Sequence, residues 1–165
     1  MAGLRRLVIG IGNPDRGDDG VGPAVARRLR ARAPDGVELL ETDGEASRLL
    51  ELLAGADVAW LVDAAVSGAA AGTIRRLDPI AAPLPRSLFA VSSHGLGLAE
   101  AVELARALGS LPRRLVVYAI EGAGFAPGAP LTPAVAAAVI EAEERLLGEI
   151  RAEPALADRP APIRR

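Results

Sequence analysis

The chain alternates short apolar runs with longer amphipathic stretches. The short runs are rich in β-branched residues and are bounded by Gly, Pro, Asp or Asn, which is typical of buried strands. In the longer stretches apolar residues recur every three or four positions, which predicts helices that pack by one face. Strands are predicted over residues 6–12, 37–41, 58–64, 73–78, 87–93 and 114–121, and helices over 22–33, 45–56, 95–110 and 132–153.

This order predicts an α/β sandwich around a mostly parallel sheet, because parallel neighbours need a long connection that is usually a helix. Residues 73–78 are reached through a Gly/Ala-rich bend without a helix, so we expect an edge or antiparallel strand there. Proline is common in the first turn of a helix, and it stands at the predicted starts at Pro23 and Pro133. Thr132 is the predicted N-cap of the last helix.

Length and composition predict a single domain. The 165 residues, half of them hydrophobic, suffice for one well-buried core and are too few for two. We assign residues 1–152 to this α/β domain. Residues 153–165, "EPALADRPAPIRR", are proline-rich and aperiodic, so a flexible tail is expected there.

Charge and cysteine content exclude several classes of function. The formal net charge is −2, which argues against nucleic acid as a partner because counterion release needs a basic surface. No apolar stretch reaches the roughly 18 residues of a membrane span, so we expect no membrane association. The chain has no cysteine, which fits the cytoplasm and excludes thiolate metal ligands and cysteine nucleophiles. A metal ion would have to bind through oxygen and imidazole.

Acidic residues and the single histidine follow the predicted strands at their carboxyl ends. Parallel strands end at one edge of the sheet, and ligands bind in the crevice outside that edge, so we expect these side chains to meet there. They are Asp18 and Asp19 after the first strand, Asp43 and Glu45 after the second, Asp63 at the end of the third, His94 after the fifth and Glu121 at the end of the sixth.

Each of these residues also has an ordinary structural explanation. Asp63 could cap the next segment or pair with an arginine, and a lone histidine seldom binds a ligand. Asp18 and Asp19 could face the positive end of the first helix. Convergence at one edge favours a shared site instead. Two carboxylates and an imidazole with open coordination positions suit Zn²⁺, Ni²⁺ or another first-row divalent ion.

The glycine-rich segment "GIGNPDRGDDG" is not a phosphate-binding loop. Gly17 follows Gly12 by five residues, whereas the dinucleotide fingerprint needs a spacing of three. The Walker signature G-K-[ST] is also missing from the sequence. The glycines are better explained by a tight turn that holds a carboxylate over the strand edge.

Four segments, taken in order, resemble the hydrogenase maturation proteases, the endopeptidases that trim the C-terminus of the large subunit of nickel–iron hydrogenases. They are "VIGIGNPDRGDDGVG", "LVDAAVSGAAAGTIRRLD", "SSHGLGLAEAVELARALG" and "VVYAIEGAGFAPGAPLTPAVAAAV". The resemblance covers about residues 5–150 and implies a three-layer α/β/α sandwich around a twisted, mostly parallel sheet of five or six strands, of the phosphorylase/hydrolase-like kind. It further implies a cytoplasmic, metal-dependent endopeptidase whose partner is the large-subunit precursor, and we expect a monomer.

By motif position the resemblance implies three metal ligands that also serve catalysis. They are Asp19, the second acid of "GDDGVG", Asp63 of "LVDA" and His94 of "SSHGLGL". Nickel would be presented by the precursor, so only nickel-loaded precursor would be cut. The isolated protein would then hold no ion, or another divalent ion such as zinc or cadmium. A carboxylate outside the metal set could take the proton of the attacking water, and Asp18 and Glu121 are both candidates.

The segment "LLETDGEASRLL" differs from the glycine- and threonine-rich version found in many members of the family. It resembles the "DGE" form associated with partners of soluble, cofactor-reducing hydrogenases. This resemblance places Asp43 and Glu45 near the substrate, where they would affect which precursor is cut. Glu121 is the third residue that we expect to contact substrate.

Three other functions stay open. A non-catalytic nickel carrier or chaperone would use the same ligands without a peptide groove, and it would bind metal tightly by itself. A peptidyl-tRNA hydrolase also has a Gly-Asn-Pro turn after its first strand, but it needs a histidine soon after that turn and a basic surface for tRNA. An α/β binding domain whose strand-end acids are only caps and ion pairs would tolerate replacement of Asp19, Asp63 and His94.

Overall fold

Strands and helices alternate in the computed structural model, which describes residues 3–89 and 97–153. The strands are β1 (Arg6–Ile11), β2 (Val37–Thr42), β3 (Val58–Ala65), β4 (Ile74–Leu77) and β5 (Arg114–Glu121). The helices are α1 (Val21–Leu29), α2 (Ala46–Ala54), α3 (Leu98–Ala107) and α4 (Pro133–Ala152). Short 3₁₀ helices lie at Gly17–Gly20 and Arg86–Leu88.

The described strands form one five-stranded sheet in the order β2-β1-β3-β5-β4. The pairs β1–β2, β1–β3 and β3–β5 are parallel, whereas β4 runs antiparallel to β5 at the edge. The predicted mostly parallel sheet is confirmed, and so is the antiparallel edge strand. Each predicted helix is present in the expected place, with ends that differ by a few residues.

The strand predicted over residues 87–93 is wrong where the structure describes it. Arg86–Leu88 form a 3₁₀ helix, and Phe89 makes only an isolated antiparallel bridge to the end of β3. Residues 90–93 lie outside the described residues. Phe89 is buried in a core, so the apolar run reflects burial of a connecting segment. Pro85, which has no N–H to donate to a strand neighbour, precedes this turn and disfavours strand pairing.

Helices cover both faces of the sheet and create two cores. α2 and α3 pack on one face over strand residues that include Ile9 and Leu61. α1 and α4 pack on the other face over residues that include Val8 and Trp60. Side chains alternate between the faces along a strand, so the inner strands are apolar on both sides and appear as continuous apolar runs in the sequence. This arrangement confirms the α/β/α sandwich.

The last helix ends at Ala152, at the end of the predicted domain. Glu153 is described and pairs with Arg114 at 3.1 Å, whereas residues 154–165 of the predicted tail lie outside the described residues. The tail therefore stays a prediction. Among the described helices, none has both the length and the apolarity that crossing a membrane requires.

Helix α1 lies against the carboxyl ends of β1 and β3 at a distance that requires glycine. A Cβ atom on Gly22 would lie 2.4 Å from the carbonyl oxygens of both Ile11 and Val62. A Cβ atom on Gly10 would lie 2.4 Å from the carbonyl oxygen of Gly22. The first turn of α1 and the 3₁₀ helix before it are therefore held at the strand ends, where the site is predicted.

A buried carboxylate joins α4 to α1. Glu143 on α4 is 2% exposed and accepts hydrogen bonds from Arg28 and from Arg32, the latter at 3.1 Å. Burial opposes ionisation of Glu143, but the hydrogen bonds and charges of the two arginines outweigh it and hold the pKa of this carboxyl below its ordinary value. The ionised form is thus preferred in the folded state.

Replacement Glu143→Gln is expected to lower the free energy of unfolding at pH 7 by about 1–2 kcal/mol, because it removes hydrogen bonds to charged groups. A carboxyl whose folded pKa is lowered stabilises the fold above its unfolded pKa of about 4.3, and this contribution is lost as pH falls through the folded value. Urea unfolding at several pH values measures the difference. The exposed neighbour Glu144→Gln is the control and should change little, while a pH-independent loss in Glu143→Gln would contradict the assignment.

Candidate active site at the carboxyl edge of the sheet

The carboxyl ends of β1, β3 and β5 bring Asp19, Asp63 and Glu121 to one edge of the sheet. Asp63 is the sixth of the eight residues of β3. Asp19 lies in the 3₁₀ helix between β1 and α1, and this helix packs against β3. The two predicted ligands that the structure describes are therefore neighbours, although 43 residues of the sequence lie between them.

Asp63 is partly buried on the face of the sheet that α2 and α3 cover, since Leu61 and Ala65 belong to that core. Its Oδ1 accepts a hydrogen bond from the amide of Ala64 at 2.8 Å. Burial raises the pKa of Asp63 well above its ordinary value, the Ala64 hydrogen bond lowers it in part, and the negative charge of Asp19 raises it further. The pKa of Asp63 is thus raised mainly because its carboxyl is poorly solvated, and in part because Asp19 lies nearby.

Asp19 is also partly buried, and its Oδ2 accepts a hydrogen bond from the amide of Asn13 at 2.9 Å. Within the described ranges, neither Asp19 nor Asp63 forms an ion pair with an arginine. Nor does any described residue donate a hydrogen bond to Oδ1 of Asp19 or to Oδ2 of Asp63. Within the described part of the chain, Asp19 and Asp63 thus each have one oxygen without a donor, and a cation would relieve the repulsion between the two carboxylates.

His94, the third predicted ligand, lies outside the described residues. The residues that the structure does describe contain no group of three or more His, Asp or Glu side chains that could hold a metal ion by themselves. The described part of the site is the pair Asp19 and Asp63, and its completion by His94 stays a prediction.

Asp18, directly before Asp19, has a different environment. It is fully buried. Its Oδ2 accepts from the amides of Ala123 and Gly124 at 2.8 and 3.0 Å and from the Thr132 hydroxyl at 2.8 Å, and its Oδ1 accepts from the Thr132 amide at 2.7 Å. Burial opposes ionisation of Asp18, but these hydrogen bonds outweigh it and lower the pKa of this carboxyl below its ordinary value. Asp18 is an ionised anchor for the chain after β5.

Glu121, at the end of β5, is a second buried anchor, 3% exposed. Its Oε1 accepts from the amides of Ser67 and Gly68 at 2.8 and 2.9 Å, and its Oε2 accepts from the Ser67 hydroxyl at 2.8 Å. These bonds hold the turn that follows β3, two residues beyond the end of the strand that carries Asp63. The predicted contact of Glu121 with substrate stays a prediction.

Asp43 and Glu45 follow β2 at the same edge of the sheet, where the amide of Gly12 bonds the carbonyl oxygen of Thr42 at 2.9 Å. Asp43 is exposed, and its Oδ1 accepts from the amide of Glu45 at 3.0 Å. Glu45 is partly buried and is the N-cap of α2, where it accepts from the amides of Ser47 and Arg48. Their predicted contact with substrate is not contradicted by these local bonds.

Thr132 and Ser67 each bind a buried carboxylate at this edge, and the sequence gives little indication of either contact. Thr132 is the N-cap residue of α4, as predicted, but its hydroxyl donates to Asp18 and makes no cap bond. Ser67 is an ordinary turn residue by its sequence, and only the fold shows that it binds Glu121. Both contacts join segments more than 50 residues apart, so local patterns do not reveal them.

Comparison with known proteins identifies close relatives. Residues 23–149 match the family model of the hydrogenase maturation proteases. The chain is 33% identical over 153 residues to the hydrogenase 2 maturation protease of Escherichia coli strain K12, which covers 90% of this chain and 92% of that protein. The structure of the hydrogenase-maturating endopeptidase HybD from Escherichia coli superposes with a TM-score of 0.75 at 30% identity, over 94% of this chain and all of that one.

A more distant structure shows the same fold. A [NiFe] hydrogenase maturation protease, HycI from Thermococcus kodakarensis KOD1, superposes with a TM-score of 0.69 at 24% identity, over 91% of this chain and 94% of that one. The fold is therefore shared with a protein of low sequence identity.

Replacement Asp63→Asn is expected to raise the free energy of unfolding of the metal-free protein at pH 7, because burial and the negative charge of Asp19 disfavour the ionised carboxyl. A carboxyl with a raised folded pKa destabilises the fold once it ionises, so the gain should be absent below the unfolded pKa of about 3.9 and grow as pH rises above it. Denaturant unfolding in the presence of a chelator measures this. Asp35→Asn, at an exposed position, is the control, and a destabilised Asp63→Asn would contradict the electrostatic picture.

Proposed function

The chain belongs to the hydrogenase maturation protease family, and we propose that it removes the C-terminal peptide from the nickel-loaded precursor of a [NiFe]-hydrogenase large subunit. The observation that carries this proposal is the pair Asp19 and Asp63, two adjacent carboxylates at the sheet edge whose described surroundings supply no cation. A substrate that brings its own divalent ion would supply the missing charge.

In this proposal Asp19, Asp63 and His94 bind the nickel that the precursor presents. Oδ1 of Asp19 and Oδ2 of Asp63 are the oxygens without a described donor, so they are the atoms that we assign to the ion. A bound divalent ion polarises a peptide carbonyl and lowers the pKa of a water to about 7. This chemistry needs no serine or cysteine nucleophile, and the chain has no cysteine. Zinc or cadmium would compete for the same ligands in the isolated protein.

The proton of the attacking water needs an acceptor, and we propose that neither Asp18 nor Glu121 takes this role. Each of these buried carboxylates accepts hydrogen bonds on both of its oxygens. Both side chains are also buried, so an attacking water at the sheet edge has little access to them. We therefore propose that the proton acceptor is a group at the metal position itself.

We also propose that the protein acts in the cytoplasm as a monomer and that its protein partner is the large-subunit precursor.

Cleavage of nickel-loaded and nickel-free precursor, followed by the C-terminal mass, tests this function. Wild-type protein should shorten only loaded precursor. Asp63→Asn and His94→Ala should each reduce the rate by more than about 100-fold, since even a residue that only orients a metal ligand is worth 10–100-fold. Asp35→Asn, which is exposed and distant from the edge, should cut at the wild-type rate.

Two outcomes would contradict the proposal. If both variants remain folded and cut normally, the acids at the edge are structural. If wild-type protein cuts neither form of precursor but binds Ni²⁺ tightly by itself, the nickel-carrier function is correct instead. Circular dichroism and thermal melting of each variant separate loss of the site from loss of the fold.

We also propose that the carboxylates of Asp43 and Glu45 contribute to selection of the precursor. Glu45→Gln keeps an oxygen that can cap α2 and removes only the charge. This variant, combined with Asp43→Asn, should raise KM for the cognate precursor roughly two- to fivefold, the size of about one exposed ion pair, and leave kcat unchanged. Glu51→Gln on the same helix is the control. An unchanged KM for cognate and non-cognate precursors would remove these residues from substrate selection.

A further inference from the structure

The β5–α4 loop, residues 122–132, is attached to the segment that carries Asp19 by bonds in both directions. The amide of Asp18 donates to the carbonyl oxygen of Gly124 at 2.8 Å, while the Asp18 carboxylate accepts from the Gly124 amide at 3.0 Å. The amide of Gly17 donates to Ala129 at 3.1 Å, and the amide of Gly128 donates to Asp15 at 2.7 Å. The two segments therefore form one hydrogen-bonded unit.

The same loop is attached to the strand that carries Asp63. The amide of Gly122 donates to the carbonyl oxygen of Ala65, the last residue of β3, at 3.0 Å. Glu121, directly before the loop, holds the amides of Ser67 and Gly68. The loop thus connects the supports of Asp19 and of Asp63, and Asp18 is its only side-chain link to the Asp19 segment among the described hydrogen bonds.

We propose that Asp18 is a positioning residue for cleavage: its buried carboxylate fastens the β5–α4 loop to the 3₁₀ helix of Asp19 and so sets the position of the Asp19 carboxylate relative to Asp63. The inference rests on the proposed function, and it assigns Asp18 a role that excludes proton transfer. Asp19 follows Asp18 in a helix of four residues, so a shift of one residue displaces the other.

Only a carboxylate satisfies this position. All four groups that point at the Asp18 oxygens are donors, three amides and one hydroxyl. An asparagine has the same shape, but whichever way its amide is turned, its NH₂ group faces at least one backbone N–H. A buried donor without an acceptor is costly, so the loop would move away. Glutamate is longer by one methylene group, so its carboxylate would not occupy the same position among these four donors.

The test compares Asp18→Asn with wild type in three measurements. The kcat on nickel-loaded precursor should fall roughly 10–100-fold with a smaller change in KM, the cost typical of losing a residue that orients a metal ligand. The affinity for Cd²⁺ alone, measured by calorimetry, should fall within the same range. Hydrogen exchange at the amides of Ala123, Gly124 and Thr132 should become faster.

Two further variants keep the test decisive. Glu143→Gln loses a buried carboxylate on the far side of α1 and should lose stability without a change in kcat, which separates positioning from stability. Thr132→Val removes one of the four bonds and should lower kcat several-fold, whereas Thr132→Ser keeps the hydroxyl and should restore it. If Asp18→Asn does not fold, the comparison of Thr132→Val with Thr132→Ser decides whether the Asp18 contacts position the site.

The outcomes separate this inference from the proposed function. If wild-type protein cleaves, Asp63→Asn fails and Asp18→Asn or Thr132→Val retains the wild-type kcat and Cd²⁺ affinity, the positioning role is overturned while the function stands. If wild-type protein does not cleave, the proposed function fails. The Cd²⁺ affinity and hydrogen exchange of Asp18→Asn then still decide whether Asp18 fastens the β5–α4 loop and positions Asp19.

Discussion

The burial of the Asp63 carboxyl beside a second carboxyl, Asp19, is the constraint on which the site depends. The two carboxylates come from different elements and are held at the sheet edge without an ion pair in the described part of the chain. Such an arrangement raises the free energy of the folded protein unless something cationic binds. The fold must therefore supply enough stabilisation elsewhere to keep both acids in place.

That stabilisation comes from the two cores and from the buried acids around the site. The inner strands are apolar on both faces, and Gly10 and Gly22 allow α1 to lie directly on the strand ends. Asp18 and Glu121 are surrounded by hydrogen-bond donors from the neighbouring loops, so their charges stabilise the backbone. Asp18 and Glu121 thus accept hydrogen bonds on both of their oxygens, whereas Asp19 and Asp63 each accept a bond on only one oxygen from the residues that the structure describes. In the proposed function, Asp19 and Asp63 are the pair that the metal ion of the substrate completes.

Much of the fold follows from the sequence because the inner strands are buried on both faces and the helices are amphipathic. The position of Asp63 also follows, since an acid at the end of an apolar strand of a parallel sheet has to lie at the ligand-binding edge. The strand predicted over residues 87–93 was wrong at its described residues, because burial of a connecting segment produces the same apolar pattern as a strand.

The different roles of Asp18 and Asp19 could not be predicted from their adjacent positions. Asp18 is defined by contacts with Thr132, 114 residues away, and Glu121 by contacts with Ser67, 54 residues away. Such bonds depend on how the loops meet at the edge, which no local pattern encodes. The resemblance to a family implies a ligand set that stays a prediction, while the hydrogen bonds of the fold show that Asp18 and Glu121 hold the neighbouring loops.

Nickel-edge X-ray absorption on nickel-loaded precursor, recorded alone and with an excess of this protein before cleavage, tests most directly whether the protein supplies ligands to the nickel. We expect oxygen and nitrogen ligands from carboxylates and imidazole to join the nickel when the protein binds, and Asp63→Asn to reduce this change. A nickel environment that is the same with and without the protein, in a sample that is subsequently cleaved, would show that the protein supplies no ligand.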